Sequence, residues 1–366
     1  MLPRENKGKR IAIVGGGPIG LFLAIKISLR GYQVNLYERS SWPIDKVCGQ
    51  GLMPRGVKEL LTVGVSFEKF KDYYPFKRIE YFDEGRYIKG ELPFNGMGIY
   101  RKVLSSKLFD RAQSIERIKL HEKVLVQGIG HSGKLDKPFL ELSGDLNETK
   151  EFDYIFCCDG LNSSTRKKMG LDKTNLSKKR MGARIHYEVR PWSTGVQVYW
   201  NDGIEAYVTP VNEGQVEIAF LWFEEKVEKG PRLKERLFEK FPVLMDKISE
   251  ANSLNDFKGY GPFSRSSKKI NEKGIFFVGD AYCFGDGITG EGLSLGLQSA
   301  SLISRCFENF TAKDKLKIKV LYMGYLFWIY VALSFSRLVT FRRFIFSVLK
   351  NFPKLFNRIL QMSSNS

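Results

Sequence analysis

The chain has 366 residues, 43% of them hydrophobic and 27% charged, and carries a formal net charge of +18. That apolar content excludes a disordered chain, and the length is enough for two hydrophobic cores. The five cysteines (Cys48, Cys157, Cys158, Cys283, Cys306) show neither paired C-x-x-C spacing nor the density of a disulfide scaffold, and His121, His131 and His186 are scattered without a metal-ligand pattern.

Pro3, Arg4, Glu5, Asn6, Lys7 and Lys9 directly precede the first apolar run, so no secretory leader is expected and a reducing cytoplasm fits. Arg10–Val14 reads as a buried strand, and Pro18–Arg30 has helical character. Between them lies Gly15-Gly16-Gly17-Pro18-Ile19-Gly20, a G-x-G-x-x-G turn in the strand–turn–helix context that a dinucleotide site requires. Gly15 permits the tight turn, Gly17 lets the backbone approach a pyrophosphate, and Gly20 lets helix and strand pack closely. The unpaired N–H groups of the helix N-terminus then face the phosphates. After the second strand, Gln33–Tyr37, stands Glu38, whose carboxylate suits both hydroxyls of an unphosphorylated ribose, as in FAD or NAD.

Further along, Cys48-Gly49-Gln50-Gly51 would let the backbone pass close to a ligand, with Cys48 either facing a cavity or filling a small buried space. Period-two alternation marks 77–93 and 180–222, and helical periodicity marks 102–114, 231–250 and 290–308. Arg101 stands just ahead of the second helical segment. Residues 144–151 read as a hairpin turn. Ile275–Val278 reads as a buried parallel strand with Asp280 just past its carboxyl end, placed to bond ribityl or phosphate oxygens in the crevice. Gly290-Glu291-Gly292 then opens a helix whose N–H groups would face the pyrimidine edge of a flavin. The expected fold is α/β: a Rossmann-type domain built from 1–76, 96–178 and 271–310, interleaved with a mostly antiparallel substrate sheet from 77–95 and 179–270. A basic, aromatic-rich helical segment, 311–366, follows.

In that last segment ten Lys or Arg face one acidic residue, Asp314, from Lys313 onward, and Val320–Ser336 is uncharged. Seventeen uncharged residues are short for a span, which takes ~20. We read the segment as a helix lying on an anionic membrane surface or capping an apolar tunnel, with packing onto the protein's own core as the alternative. Nucleic acid is rejected as the partner, because the aromatics sit within long apolar runs and no nucleic-acid motif accompanies the charge.

Three of these stretches together resemble the large FAD-dependent group that includes aromatic and quinone-pathway hydroxylases, flavin halogenases and geranylgeranyl reductases. Asp159, Gly160, Ser163 and Arg166 match its D-G-x-x-S-x-x-R, and Gly279-Asp280-Ala281 its late G-D-A with a glycine-rich turn behind. The resemblance covers about residues 8–310 and implies FAD as cofactor, with Asp159 and Arg101 among the residues contacting it. Tryptophan-type halogenases carry W-x-W-x-I-P where this chain has Glu205-Ala206-Tyr207-Val208-Thr209-Pro210, which disfavours halogenation. Cys48-Gly49-Gln50-Gly51 and Thr289-Gly290-Glu291-Gly292 look reductase-like, whereas Leu52–Val57 is similar to hydroxylases of secondary metabolism. The resemblance implies a monooxygenase acting on a lipophilic polyketide, quinone-like ring or isoprenoid. The alternatives are double-bond reduction, with Cys48 or Tyr207 as the protein acid, and a non-catalytic flavoprotein sensor or membrane-surface protein. No second dinucleotide fingerprint is present, so NAD(P)H would dock transiently, or a separate electron donor would serve.

Overall fold

Arg10–Val14 lies inside a six-stranded sheet because its apolar side chains are buried on both faces, as a strand covered on two sides requires. In the computed structural model, which describes residues 8–133, 136–174 and 179–365, the order across this sheet is Asn271–Glu272, Ile275–Phe277, Tyr154–Cys157, Arg10–Val14, Gln33–Tyr37, Ile118–His121. All neighbouring pairs are parallel except the edge strand Asn271–Glu272. The helix Pro18–Ser28 is buried nearly all round, packed against the helices Arg101–Gln113 and Gly292–Cys306. Chain segments far apart in sequence thus place their strand ends along one crevice.

A second sheet of nine strands stands beside the first. Its central antiparallel set, Arg180–Glu188, Gln215–Phe223, Ile204–Asn212 and Val196–Trp200, meets the long hairpin Tyr73–Asp83/Arg86–Ile99 through a parallel pairing of Val196–Tyr199 with Ile79–Phe82. The hairpin runs past the alternating segment 77–93 at both ends. Pro75 and the Gly96-Met97-Gly98 stretch break the alternation that reveals a strand, yet the backbone stays paired, and Gly51–Leu52 joins it at Met97–Gly98. Gly98 has no room for a side chain, since a Cβ there would lie 1.8 Å from the Pro210 carbonyl oxygen. The helical stretch at 231–250 is two short helices, Leu233–Glu239 and Pro242–Ile248, because Pro242 has no N–H with which to continue the first.

Three helices complete the chain: Ala312–Arg337, Val339–Asn351 and Pro353–Asn365. The first begins in a capping box formed by Thr311 and Asp314. By length and composition it could cross a membrane, but here it lays one face, Ile318, Tyr322, Tyr325 and Ile329, on the core. The Tyr325 hydroxyl donates to the Asp286 carbonyl (2.9 Å). Ser336 at its end donates to Glu205, which also holds Arg180 (2.8 Å) beside Asp286. Glu205, standing where the halogenase motif has a tryptophan, thus serves a buried ion-pair cluster. Arg342, counted above with the basic surface, is buried: it grips Asp83 of the hairpin with two 3.0 Å bonds and satisfies backbone carbonyls at Asn201, Phe335 and Ser336.

Candidate functional site

The glycine-rich turn works through space. Gly15 has φ +101°, and a Cβ there would press on the Cys158 carbonyl; at Gly20 a Cβ would lie 1.9 Å from the Gly15 carbonyl oxygen. At Gly17, the cap residue of Pro18–Ser28, a Cβ would meet nothing within 4 Å. Gly15 and Gly20 are therefore fixed by the protein's own packing, while Gly17 borders open space. Glu38 binds the turn itself, accepting from the N–H of Gly16 (2.6 Å) and of Ser40 (2.9 Å).

The two later motifs are tied together by Arg166. Its guanidinium, fully buried, donates to the carbonyls of Leu161 (2.8 Å) and Ala281 (2.8 Å) and pairs with Asp172 (2.7 Å). Asp159 faces the short helix that follows, accepting from the Thr165 N–H and hydroxyl (both 3.0 Å). Asp280 is half-buried at the cavity wall. Burial pushes its carboxyl up, opposed by Lys46, Arg101 and Arg166.

Arg101 opens the helix Arg101–Gln113 and is 3% exposed. It donates to the Gly49 carbonyl (2.9 Å) and the Cys48 sulfur (3.4 Å), whereas its Nη1, also buried, has no partner. Gln50 connects this arginine to the sheet. Its side-chain carbonyl accepts the Arg101 N–H (2.7 Å), and its own N–H donates to Glu217 (2.8 Å). Glu217 is wholly buried, with one oxygen unpaired. Burial pushes its carboxyl up to about 7 despite the Gln50 bond, Arg184 and Arg101. His186, buried on the neighbouring strand, is pushed down to about 4 by burial and by Arg184.

Some of these groups line a cavity of about 230 Å³. Gly17, Cys48, Arg101 and Asp280 line it, as do Tyr207, Gly290 and Gly292. Gly15, Gly20, Glu38 and Asp159 lie outside the lining. Tyr207 donates its hydroxyl to the Ile288 carbonyl (2.6 Å), and burial raises its phenol well above the ordinary range. Cys48 is exposed. A second cavity of about 290 Å³ shares Met53, Ile79, Tyr81, Ile288 and Thr289 with the first. Its far walls come from the C-terminal helices, including Trp328, Phe335, Phe346 and Phe356.

Sequence reasoning did not single out Gln50, Glu217 or the second cavity. A carboxylate within Val216–Phe223, where every other residue but Ala219 is a large apolar one, was the available signal for Glu217. The cavity has no local signature, because its walls come from five separate stretches of chain.

A family described as an FAD binding domain matches residues 9–309. Among curated proteins, an FAD-dependent monooxygenase of Aspergillus terreus is 24% identical over 253 residues, 60% of this chain and 56% of that protein. Squalene epoxidase 3 of Arabidopsis thaliana is 20% identical over 310 residues, 80% of this chain and 59% of that protein. The chain thus spans little more than half the length of these relatives. Of solved structures, p-nitrophenol 4-monooxygenase from Pseudomonas putida superposes with a TM-score of 0.82 at 16% identity, covering 97% of this chain and 99% of that one. A flavin-dependent brominase shares the fold equally (TM-score 0.80, 14% identity, 97% and 93% coverage), so architecture alone does not separate oxygenation from halogenation.

Glu217 makes stability depend on pH. With the folded carboxyl at about 7 and its ordinary value at 4.5, the folded state holds the extra proton between these limits. Stability is full below the lower limit and falls as pH rises through the upper one. Glu217→Gln is expected to melt progressively higher relative to wild type as pH goes from 5 to 8, by scanning fluorimetry; a constant difference would refute the assignment.

Proposed function

The chain belongs to the FAD binding domain family, and from that premise we propose that it is an FAD-dependent monooxygenase, drawing electrons from NAD(P)H, whose substrate is lipophilic. The observation that carries this reading is the second cavity, which shares wall residues with the first and is lined almost entirely by apolar side chains. An apolar pocket of that kind recovers its binding energy from buried hydrocarbon, roughly 25 cal/mol per Å².

The chain's residues suit FAD. Gly17 leaves open space ahead of the N-terminus of Pro18–Ser28, where a pyrophosphate is favoured by free N–H groups. Arg101 directs a buried guanidinium with an unpaired nitrogen to a cavity that Asp280 also lines. In this reading Glu38 holds the ribose and Asp159 positions the turn behind the cofactor, while Gly290 and Gly292 bring backbone against the flavin ring. When bound, FAD supplies the activation of O2 and the transfer of one oxygen atom. The protein orients the substrate across Met53, Ile79 and Tyr81 and excludes water with the aromatic wall of the C-terminal helices.

Double-bond reduction is the second reading. Cys48 favours it, because an exposed thiol lining the first cavity is available as a proton donor. Tyr207 suits that role less well, its hydroxyl being engaged by Ile288.

We further propose that the protein docks on anionic membrane surfaces. Leu316, Val320, Met323, Phe327 and Tyr330 follow one another at helical spacing and are all exposed, with Lys313 and Lys319 exposed near one end. Phe341 and Phe344 on the next helix, Phe352 after it and Leu355 on the last helix are exposed as well.

Gly17→Val should yield protein with little bound FAD by absorbance at the flavin band; full occupancy would refute the placement. The reduced enzyme, incubated with a lipid extract under labelled oxygen and under argon, should give a product carrying one labelled oxygen only in the first. Two added hydrogens under argon would instead establish the reductase. Binding to phosphatidylserine vesicles at low salt should fall about tenfold or more when Phe327 and Tyr330 are both replaced by Ser; unchanged binding would remove the membrane proposal.

A further inference from the structure

The second cavity is apolar on most sides, but its polar groups are not spread evenly. Thr289 and Glu291 enter it from the turn before the helix Gly292–Cys306, and Gln298 from two turns along that helix. The Thr289 hydroxyl is buried without a partner, and so is the indole N–H of Trp200, a lining residue only 8% exposed. Gln298 is already engaged, its carbonyl accepting from Arg55 (3.4 Å) and its amide donating to the Ser294 carbonyl (3.3 Å). Among the described residues lining this cavity, Glu291 alone carries an ionisable acid or base of the Asp, Glu, Lys or Arg kind. A cavity that kept these donors for a pure hydrocarbon would leave each of them unsatisfied, at about 1–3 kcal/mol apiece.

We propose that Glu291, as a neutral carboxylic acid, forms with Thr289 the oxygen-recognising end of the cavity, donating a hydrogen bond to a carbonyl or hydroxyl oxygen on an otherwise apolar substrate. This rests on the assignment of the second cavity to substrate. Three groups face Glu291, and only one of them, Arg55, carries a charge, which favours the carboxylate against the effect of burial. They are Arg55 on the helix Pro54–Leu61, Tyr81 on the strand Tyr73–Asp83, and Tyr325, which lines the same cavity and donates to Asp286. Burial pushes the Glu291 carboxyl up to about 8, with Arg55 opposing. A protonated acid donates; the carboxylate, carrying only acceptors, repels a carbonyl oxygen. Recognition is therefore present below that value and lost above it. A site built this way selects quinone-like, ketone or phenolic rings over hydrocarbons of the same shape.

The test compares menadione with 2-methylnaphthalene, the same ring system without oxygens, by equilibrium dialysis against full-length, FAD-loaded protein. At pH 6.5 the quinone-over-hydrocarbon preference of wild type is expected to exceed that of Glu291→Ala by about tenfold, with the hydrocarbon Kd unchanged. At pH 9.5 the wild-type preference should fall to the Ala level, while Glu291→Gln, whose amide donates at every pH, should keep its preference at both. Equal preferences in wild type and Glu291→Ala, or a wild-type preference that ignores pH, would overturn the role of Glu291 while leaving the cavity assignment standing. Failure of both probes to bind would overturn the cavity assignment and this inference with it.

Discussion

The site depends on one buried cation. Arg166 bridges Leu161, after one strand of the parallel sheet, to Ala281, after the next, and its charge is matched by Asp172. An arginine removed from water is tolerated only when its donors are nearly all used, and truncating one strands its partners at a cost of about 3–5 kcal/mol. Its constraint therefore fixes the spacing of two loops whose residues Gly160 and Asp280 both line the first cavity. Gly15 and Gly20 fix the third loop by the opposite means, through the absence of any side chain.

The second cavity is held by analogous buried polar ties. Arg342 anchors the C-terminal helices to the hairpin through Asp83, and Ser336 anchors them to the Glu205–Arg180–Asp286 cluster. Both ties lie near the junction of two helices, just after Trp328, Ala332 and Phe335, which present hydrocarbon to the cavity.

Much of the candidate crevice was legible because its residues act through backbone geometry. A glycine at a tight turn, or an acid after a buried strand, leaves a mark within a few residues, as Gly15, Gly17 and Asp280 do. Glu38 and Asp159 were readable as motif members, yet their carboxylates are engaged by Gly16 and Thr165, which only the folded backbone reveals. Glu217 and Glu291 were harder to read. Each is defined by what surrounds it in space, the Gln50 loop in one case and Arg55, Tyr81 and the C-terminal helices in the other, and no periodicity encodes neighbours so distant along the chain. The strand ends at Tyr73 and Ile99 were missed for a related reason: proline and glycine weaken alternation while cross-strand pairing maintains the strand.

The helix Ala312–Arg337 carries Trp328, Ala332 and Phe335 on the wall of the second cavity and Phe327 and Tyr330 on its exposed side. On the proposed membrane docking, one element separates the substrate reservoir from the substrate cavity by a single helix diameter, about 10 Å. Substrate would then partition between two apolar phases with little passage through water, and the quantity that sets saturation is its mole fraction in the lipid. Diluting the substrate with inert lipid at constant total concentration would slow turnover, and adding buffer would not.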